Sequence, residues 1–294
     1  MSLGRIQEDG VFIVQAHQVE RSKTEALVGY LRSSRFRSRL LRRPLVWTRQ
    51  RGLNRDDSLL ASYPRSGTTW LRFLLTEVLT GGPAEFEKVG RTVRYVGDHR
   101  NAPRLLPNSG RVIFSHEAYE KADHRVVYAV RDPRSVVVSE YRWLLRRGLY
   151  FEDFAEFFSD FLAGKTNPWG RWNSHVNYWL ASASASSNRV HVVKFEDLRA
   201  DTQGSLREIL AFLDVKQSDD RIEAAVQNNS VGEMRTKEER APGDVFSKGV
   251  KRDIRFVNTG TTLGWKETLT EQQVAKLETE FGELMVRLGY DLVS

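Results

Sequence analysis

Between two apolar runs the chain reads Tyr63-Pro64-Arg65-Ser66-Gly67-Thr68-Thr69-Trp70. This short turn concentrates one cation, three aliphatic hydroxyls and a glycine. Gly67 lets the backbone turn tightly and approach a ligand. A helix predicted to open at about Thr68 offers unpaired N–H groups and the positive end of its dipole. With the Thr68 and Thr69 hydroxyls and the fixed charge of Arg65, these groups make a cradle for an oxyanion such as phosphate. Set over the triphosphate loop GxxxxGK[ST], the turn has Ser62 in place of the first glycine and Thr68 in place of the lysine. The charge that grips β- and γ-phosphates is therefore missing, which disfavours a triphosphate but not a phosphate.

A second anion site is spelled by VVYAVRDPRSVVVSEYRW. A buried strand delivers Arg131 at its carboxyl end, and Asp132-Pro133 opens a helix that carries Ser135 and Ser139 on one face. An arginine and a hydroxyl at a helix start bind phosphate jointly. A candidate base lies in RVIFSHEAY, where a strand ends at Ser115-His116. A neutral imidazole accepts a proton from a hydroxyl at neutral pH. Glu117 and His99 are the reserve candidates for this role.

The elements that position these groups are legible from period and punctuation. SLLASY (58–63), RVIFSH (111–116), RVVYAVR (125–131) and RVHVVKF (189–195) read as buried strands. Leu71, Leu74, Leu75, Val78 and Leu79 share one helical face, ending at Gly81-Gly82-Pro83. Thr270 with Gln273 makes a capping box ahead of Val274, Leu277, Phe281, Leu284 and Leu288. Continuous apolar strands alternating with helices predict an α/β fold, a parallel sheet of about five strands flanked by helices on both faces. Ligands of such sheets bind outside the carboxyl ends of the strands, where every group named above falls.

Composition narrows the class further. The 294 residues include no cysteine, which excludes disulfides, thiolate nucleophiles and cysteine-ligated metals. No signal peptide opens the chain and no apolar run reaches membrane length, so a cytoplasmic protein is expected. Residues 1–57 hold 12 Lys/Arg against 6 Asp/Glu, while the remainder is nearly balanced. We read 1–57 as a basic helical extension ahead of one domain spanning 58–294. That extension is either a solvated basic helix or a peripheral membrane contact through residues 20–55.

YPRSGTTW resembles the 5'-phosphosulfate loop, usually YPKSGTTW, of sulfotransferases that use 3'-phosphoadenosine 5'-phosphosulfate (PAPS). The resemblance runs from about residue 58 to 290 and implies a P-loop-like fold, PAPS as sulfuryl donor, a small-molecule, lipid or sugar acceptor, no metal and no nucleic acid. It implies that Arg65, Ser66, Gly67, Thr68 and Thr69 hold the 5' end and that Trp70 packs on adenine. Arg131 and Ser139, eight residues apart as in the family, would hold the 3'-phosphate, and His116 would be the general base. FLAGKTNPWGRWNSHVNYWL (161–180) resembles a helical segment of the family, in which Trp172, Val176 and Trp179 read as core. Phe195 stands where a tyrosine contacts the cofactor, and Asn229 stands for a threonine. FVNTGTTLGWK keeps Phe256, Gly260, Trp265 and Lys266, but Asn258 and Thr259 replace the Arg-Lys pair that embraces the 3'-phosphate. Either PAPS binds more weakly or Lys251, Arg252 or Arg255 substitute. The family's dimer motif is incomplete at Lys266, Thr270 and Ala275, leaving monomer or dimer open. The rival readings are a nucleotide kinase using the same loop and a non-enzymatic binder of anionic surfaces through the basic N-terminus.

Overall fold

The computed structural model describes residues 44, 46–118, 124–148, 153–185, 189–241, 254–257 and 262–294. Strands β1 (Ser58–Ser62), β2 (Arg94–Tyr95), β3 (Val112–Ser115), β4 (Arg125–Val130) and β5 (Val190–Lys194) form one sheet in the order β2-β3-β1-β4-β5. All four pairings are parallel. Four strands match the apolar runs. The fifth, β2, has two residues and carries too little alternation to be seen in sequence.

The register sets Leu59 opposite Ile113 and Val126, and Leu60 opposite Phe114 and Val127. Alternation along the strands then builds two cores, one on each face. On one side Leu59, Ala61, Ile113, Val126 and Tyr128 are buried; on the other, Leu60, Val112, Val127 and Ala129. Both faces need a cover, which is why the runs are apolar throughout.

The cover is helical. In chain order the helices are α1 (Thr68–Thr80), α2 (Phe86–Thr92), α3 (Pro133–Arg146), α4 (Phe154–Leu162), α5 (Trp172–Ala185), α6 (Phe195–Ala200), α7 (Thr202–Phe212), α8 (Asp219–Asn228), α9 (Val231–Arg240) and α10 (Glu271–Arg287). Leu71, Leu74, Leu75 and Val78 of α1 pack with Leu206, Ile209 and Leu210 of α7 over the second face. The first face carries Val136 and Val137 of α3, Phe157 and Phe161 of α4, Trp172 and Trp179 of α5, and Leu277 and Phe281 of α10. Capping follows the sequence. Asp132 accepts the Arg134 N–H at 2.8 Å, and Thr270 and Gln273 form a reciprocal box.

One expected helix is interrupted. Within 161–180, α4 ends at Leu162 and α5 begins at Trp172, because Gly164 and Gly170 take φ of 70° and 79° and Pro168 lies between them. Left-handed backbone and a proline stop α-helical hydrogen bonding, so 163–171 becomes a loop.

From β1 the chain crosses to the β2-β3 side and then returns to β4 on the other side. That reversal opens a crevice over the carboxyl end of β1. The amino ends are closed by a buried ion pair. Arg111 bonds Asp57 through Nε at 2.9 Å and Nη2 at 2.5 Å, and donates to the carbonyls of His99 at 3.0 Å and Gly52 at 2.7 Å. His99 therefore belongs to this hub and not to the crevice, which removes it as a reserve base. Its Nδ1 accepts the Gly97 N–H at 3.0 Å.

Burial raises the Asp57 pKa, but the hydrogen bond and charge of Arg111 with the Asn54 N–H outweigh it and hold the carboxyl below its ordinary value. This stabilisation is present above the ordinary Asp range and is lost as pH falls through the depressed folded value. Arg111→Met should lower the unfolding free energy at neutral pH by about 3–5 kcal/mol in urea titrations. The deficit should shrink in acid, where the stranded Asp57 becomes neutral.

Candidate active site

The crevice is organised by the turn that follows β1. Arg65 and Gly67 both have left-handed backbone, with φ of 68° and 87°. A Cβ on Gly67 would lie 2.4 Å from the Phe195 ring, so only glycine fits between turn and aromatic wall. Gly67 is also the N-cap of α1 and supplies no side-chain cap, which leaves the first-turn N–H groups open toward the crevice. Ser66 is buried, and its Oγ meets no hydrogen-bond partner among the described residues. Thr68 is engaged behind the turn, its hydroxyl paired with that of Ser62.

Two arginines converge here. Burial, then the Arg131 and Arg146 charges opposed by Glu140, bring the Arg65 pKa down to about 10. Burial also lowers that of Arg131, with Glu196, Asp132 and Tyr290 offsetting part of the cost. Nη1 of Arg131 donates to the Arg65 carbonyl at 3.3 Å, and its guanidinium lies 4.3 Å from the Phe195 ring centroid. Buried cations whose charge is disfavoured gain most from an incoming anion. Ser139 does not act at a distance from the turn: its Oγ accepts Nε of Arg65 at 3.1 Å, so both sequence-derived anion motifs meet at one point.

His116 leaves the end of β3 beside β1. Its Nδ1 lies 2.8 Å from the Ser62 carbonyl, which only accepts, so Nδ1 carries the proton and Nε2 keeps the lone pair. The ring is edge-on to Phe114 and Trp169, at 4.7 and 4.9 Å between centroids. Burial pushes its pKa down to about 4; the Ser62 bond opposes this, and the Arg65 and Arg72 charges add to it. The imidazole is thus neutral throughout the physiological range. His175 braces it, with Nε2 donating to the His116 carbonyl at 2.9 Å and Nδ1 accepting the Tyr128 hydroxyl at 3.0 Å.

A cavity of about 650 Å³ joins these groups. Its wall includes Arg65, Gly67, Thr68, Thr69, Trp70, His116, Arg131, Ser139, Phe195 and Phe256, as anticipated from sequence. Phe256 lies 5.4 Å from the Arg65 guanidinium. Trp70 donates Nε1 to the Asn229 carbonyl at 2.7 Å, and Arg199 stacks over its ring at 5.1 Å.

Asn229 is tied into the fold. Its Nδ2 bonds Glu77 at 2.9 Å and Ala225 at 2.7 Å, and its Oδ1 accepts Lys237 at 2.8 Å. Asn229 lines the cavity as well, with its amide held by these bonds and its backbone carbonyl anchoring Trp70. Glu117 is buried and pairs with Arg49 at 3.6 Å, which removes it as reserve base. Arg255 pairs with Glu239 at 3.4 Å. Asn258, Thr259 and Gly260, with Lys251 and Arg252, lie outside the described residues. Sequence reasoning missed Glu140, Asn167 and Trp169, which also line the cavity, and the brace His175. For Asn167 and Trp169 the signal lay in Gly164, Pro168 and Gly170 around them; Glu140 and His175 had none.

Fold and site define a group-transfer enzyme of the doubly covered parallel-sheet class, with an anion cradle facing a neutral imidazole. The family model described as "Sulfotransferase domain" matches residues 55–289. Mouse Sulfotransferase 2A6 is 24% identical over 244 residues, covering 79% of this chain and 85% of the relative. Human Sulfotransferase 1E1 is 25% identical over 252 residues, covering 78% and 84%. Among solved structures, mouse sulfotransferase SULT7A1 complexed with PAP superposes with a TM-score of 0.62 at 23% identity, covering 79% of this chain and 85% of that one. Retinol dehydratase in complex with androsterone and inactive cofactor PAP gives 0.64 at 19% identity, covering 82% and 83%. The chain belongs to the sulfotransferase domain family. It is accordingly a sulfotransferase.

The depressed pKa of His116 has a stability consequence. Between the ordinary histidine range and about 4 the unfolded chain binds a proton that the folded protein does not. Unfolding free energy should therefore fall as pH drops through this window, and His116→Gln should flatten that slope in urea titrations at stepped pH.

Proposed function

We propose that the chain transfers the sulfuryl group of PAPS to a hydroxyl of a small-molecule acceptor, with His116 as general base and Arg65 as the cation at the reacting end. The observation that carries this reading is the convergence of Arg65, Ser139 and Arg131 on one turn, linked by bonds of 3.1 and 3.3 Å. A donor with phosphate at both ends of a nucleoside needs two such cations within one cavity.

The residues present fit that donor. The uncapped first turn of α1, the buried Ser66 hydroxyl and the Gly67 gap would hold the 5' end. Arg131, seated on Phe195, would hold the 3' end with Ser139, and Trp70 would meet the base. When bound, PAPS supplies a sulfuryl group activated by a phosphate leaving group. Arg65 would neutralise charge developing on that leaving phosphate in a site where water is scarce and charge counts for more. Nε2 of His116 would take the proton of the acceptor hydroxyl, and its low pKa keeps it unprotonated and ready. Phe114, Trp143 and Trp169 offer an aromatic surface to an acceptor.

The reading keeps one domain over 58–294, with a peripheral membrane contact through the basic stretch 20–55. No helix among the described residues is long and apolar enough to cross one. A cytoplasmic location, as monomer or dimer, completes the reading.

Two measurements decide it. 3'-Phosphoadenosine 5'-phosphate should raise Tm clearly while ATP with magnesium does not; a shift with ATP alone would turn the reading to a kinase. His116→Ala should lower kcat at least ~100-fold at saturating PAPS while leaving binding of the desulfated nucleotide intact. Wild-type turnover in that variant rejects the base assignment.

A further inference from the structure

The loop 163–171 is held by hydrogen bonds that none of the transfer chemistry uses. Asn167 is their centre. Its Nδ2 donates to the Tyr63 hydroxyl at 2.8 Å and to Oε1 of Glu140 at 2.9 Å, while its Oδ1 accepts the Trp169 N–H at 2.9 Å. The Tyr63 hydroxyl in turn donates a hydrogen bond to the Gly170 carbonyl at 3.1 Å. All three side chains are buried.

Their places in the chain matter. Tyr63 begins the anion turn, and Glu140 follows Ser139 on α3. The two elements that carry Arg65 and its hydroxyl partner therefore also fix the loop. What the loop presents to the cavity is Trp169, edge-on to His116.

A glutamate is an expensive way to accept one amide hydrogen bond at such a position. Burial raises its pKa, and Asn167, Thr166 and the Arg65 charge offset only part of that cost. Its Oε2 makes no hydrogen bond of good geometry among the described residues. The bond it does make sets the loop.

We propose that Glu140 is a positioning residue: through Asn167 it fixes the 167–170 turn and holds the Trp169 ring as a wall against His116, keeping water off the flank of the imidazole. The consequence for turnover rests on His116 being the base, but the wall itself does not. Arg65 and Arg72 are the charges that act on His116, and Glu140 is not among them. Loss of Glu140 would thus reach the imidazole through the position of Trp169, not through charge.

That distinction is measurable by histidine NMR titration of the full chain, with His116→Gln assigning the resonance. Wild type should titrate at about 4. Asn167→Ala and Glu140→Ala should move the midpoint up by about one pH unit or more, toward the ordinary histidine value, as burial is relieved. Glu140→Gln keeps an oxygen for the Asn167 amide and should titrate with wild type. If Asn167→Ala and Glu140→Ala fold and titrate as wild type, the proposal is overturned. A Glu140→Gln shift equal to that of Glu140→Ala would overturn it too, by assigning the effect to charge. Should the alanine variants fail to fold, Tyr63→Phe removes two bonds of the clamp at nearly constant volume. An upward shift there supports the wall, and an unmoved midpoint rejects it. In the folded variants kcat should fall while the Kd for 3'-phosphoadenosine 5'-phosphate holds. A shifted midpoint with unchanged kcat would leave the wall standing and reject only the role of His116 as base.

Discussion

The structure depends on the burial of positive charge where the sheet ends. Arg65 and Arg131 sit at the carboxyl ends of neighbouring strands, one donating to the backbone of the other, with too little negative charge nearby to keep either at its ordinary pKa. Like charges so placed repel, and burial removes the water that would screen them. An anion relieves both costs at once. The folded protein therefore carries a strained charge arrangement that its substrate completes, a common way for binding energy to be stored in a site.

The same electrostatics set the acid–base chemistry. A cationic neighbourhood and a dry pocket both push His116 toward its neutral form, so the groups proposed to hold an anionic donor also keep the proposed base deprotonated. The Ser62 carbonyl fixes the tautomer, and β1 thereby contributes to the base as well as to the cradle. Tautomer, protonation state and anion affinity are one design seen from three sides.

Much of this was legible in the sequence because it is local. Tyr63 to Trp70 declares its turn through glycine and its chemistry through arginine and hydroxyls, and Asp132-Pro133 declares a helix start. Arg131 and Ser139 are separated by a helical spacing that any reader can count. What could not be read is non-local. That the amide of Asn229 is held by Glu77 and Lys237, on two other helices, is one such case. Asn167 and Glu140 are unremarkable letters whose meeting depends on a loop folding back across α3. The resemblance carried 161–180 as one helical segment, and it did not register the backbone angles of Gly164 and Gly170.

The anchoring of Trp70 has an implication for how such a site changes over time. Its indole hydrogen bond ends on Asn229, which is tied to α1 through Glu77 and to α9 through Lys237. Residues of α1 and α9, with the cap of α8, therefore hold one aromatic plane together. Variation at Glu77, Asn229 or Lys237 is not independent, because each exchange strands the polar groups of the others. Lineages should inherit the trio together or replace it together, so this wall of the cavity would drift slowly.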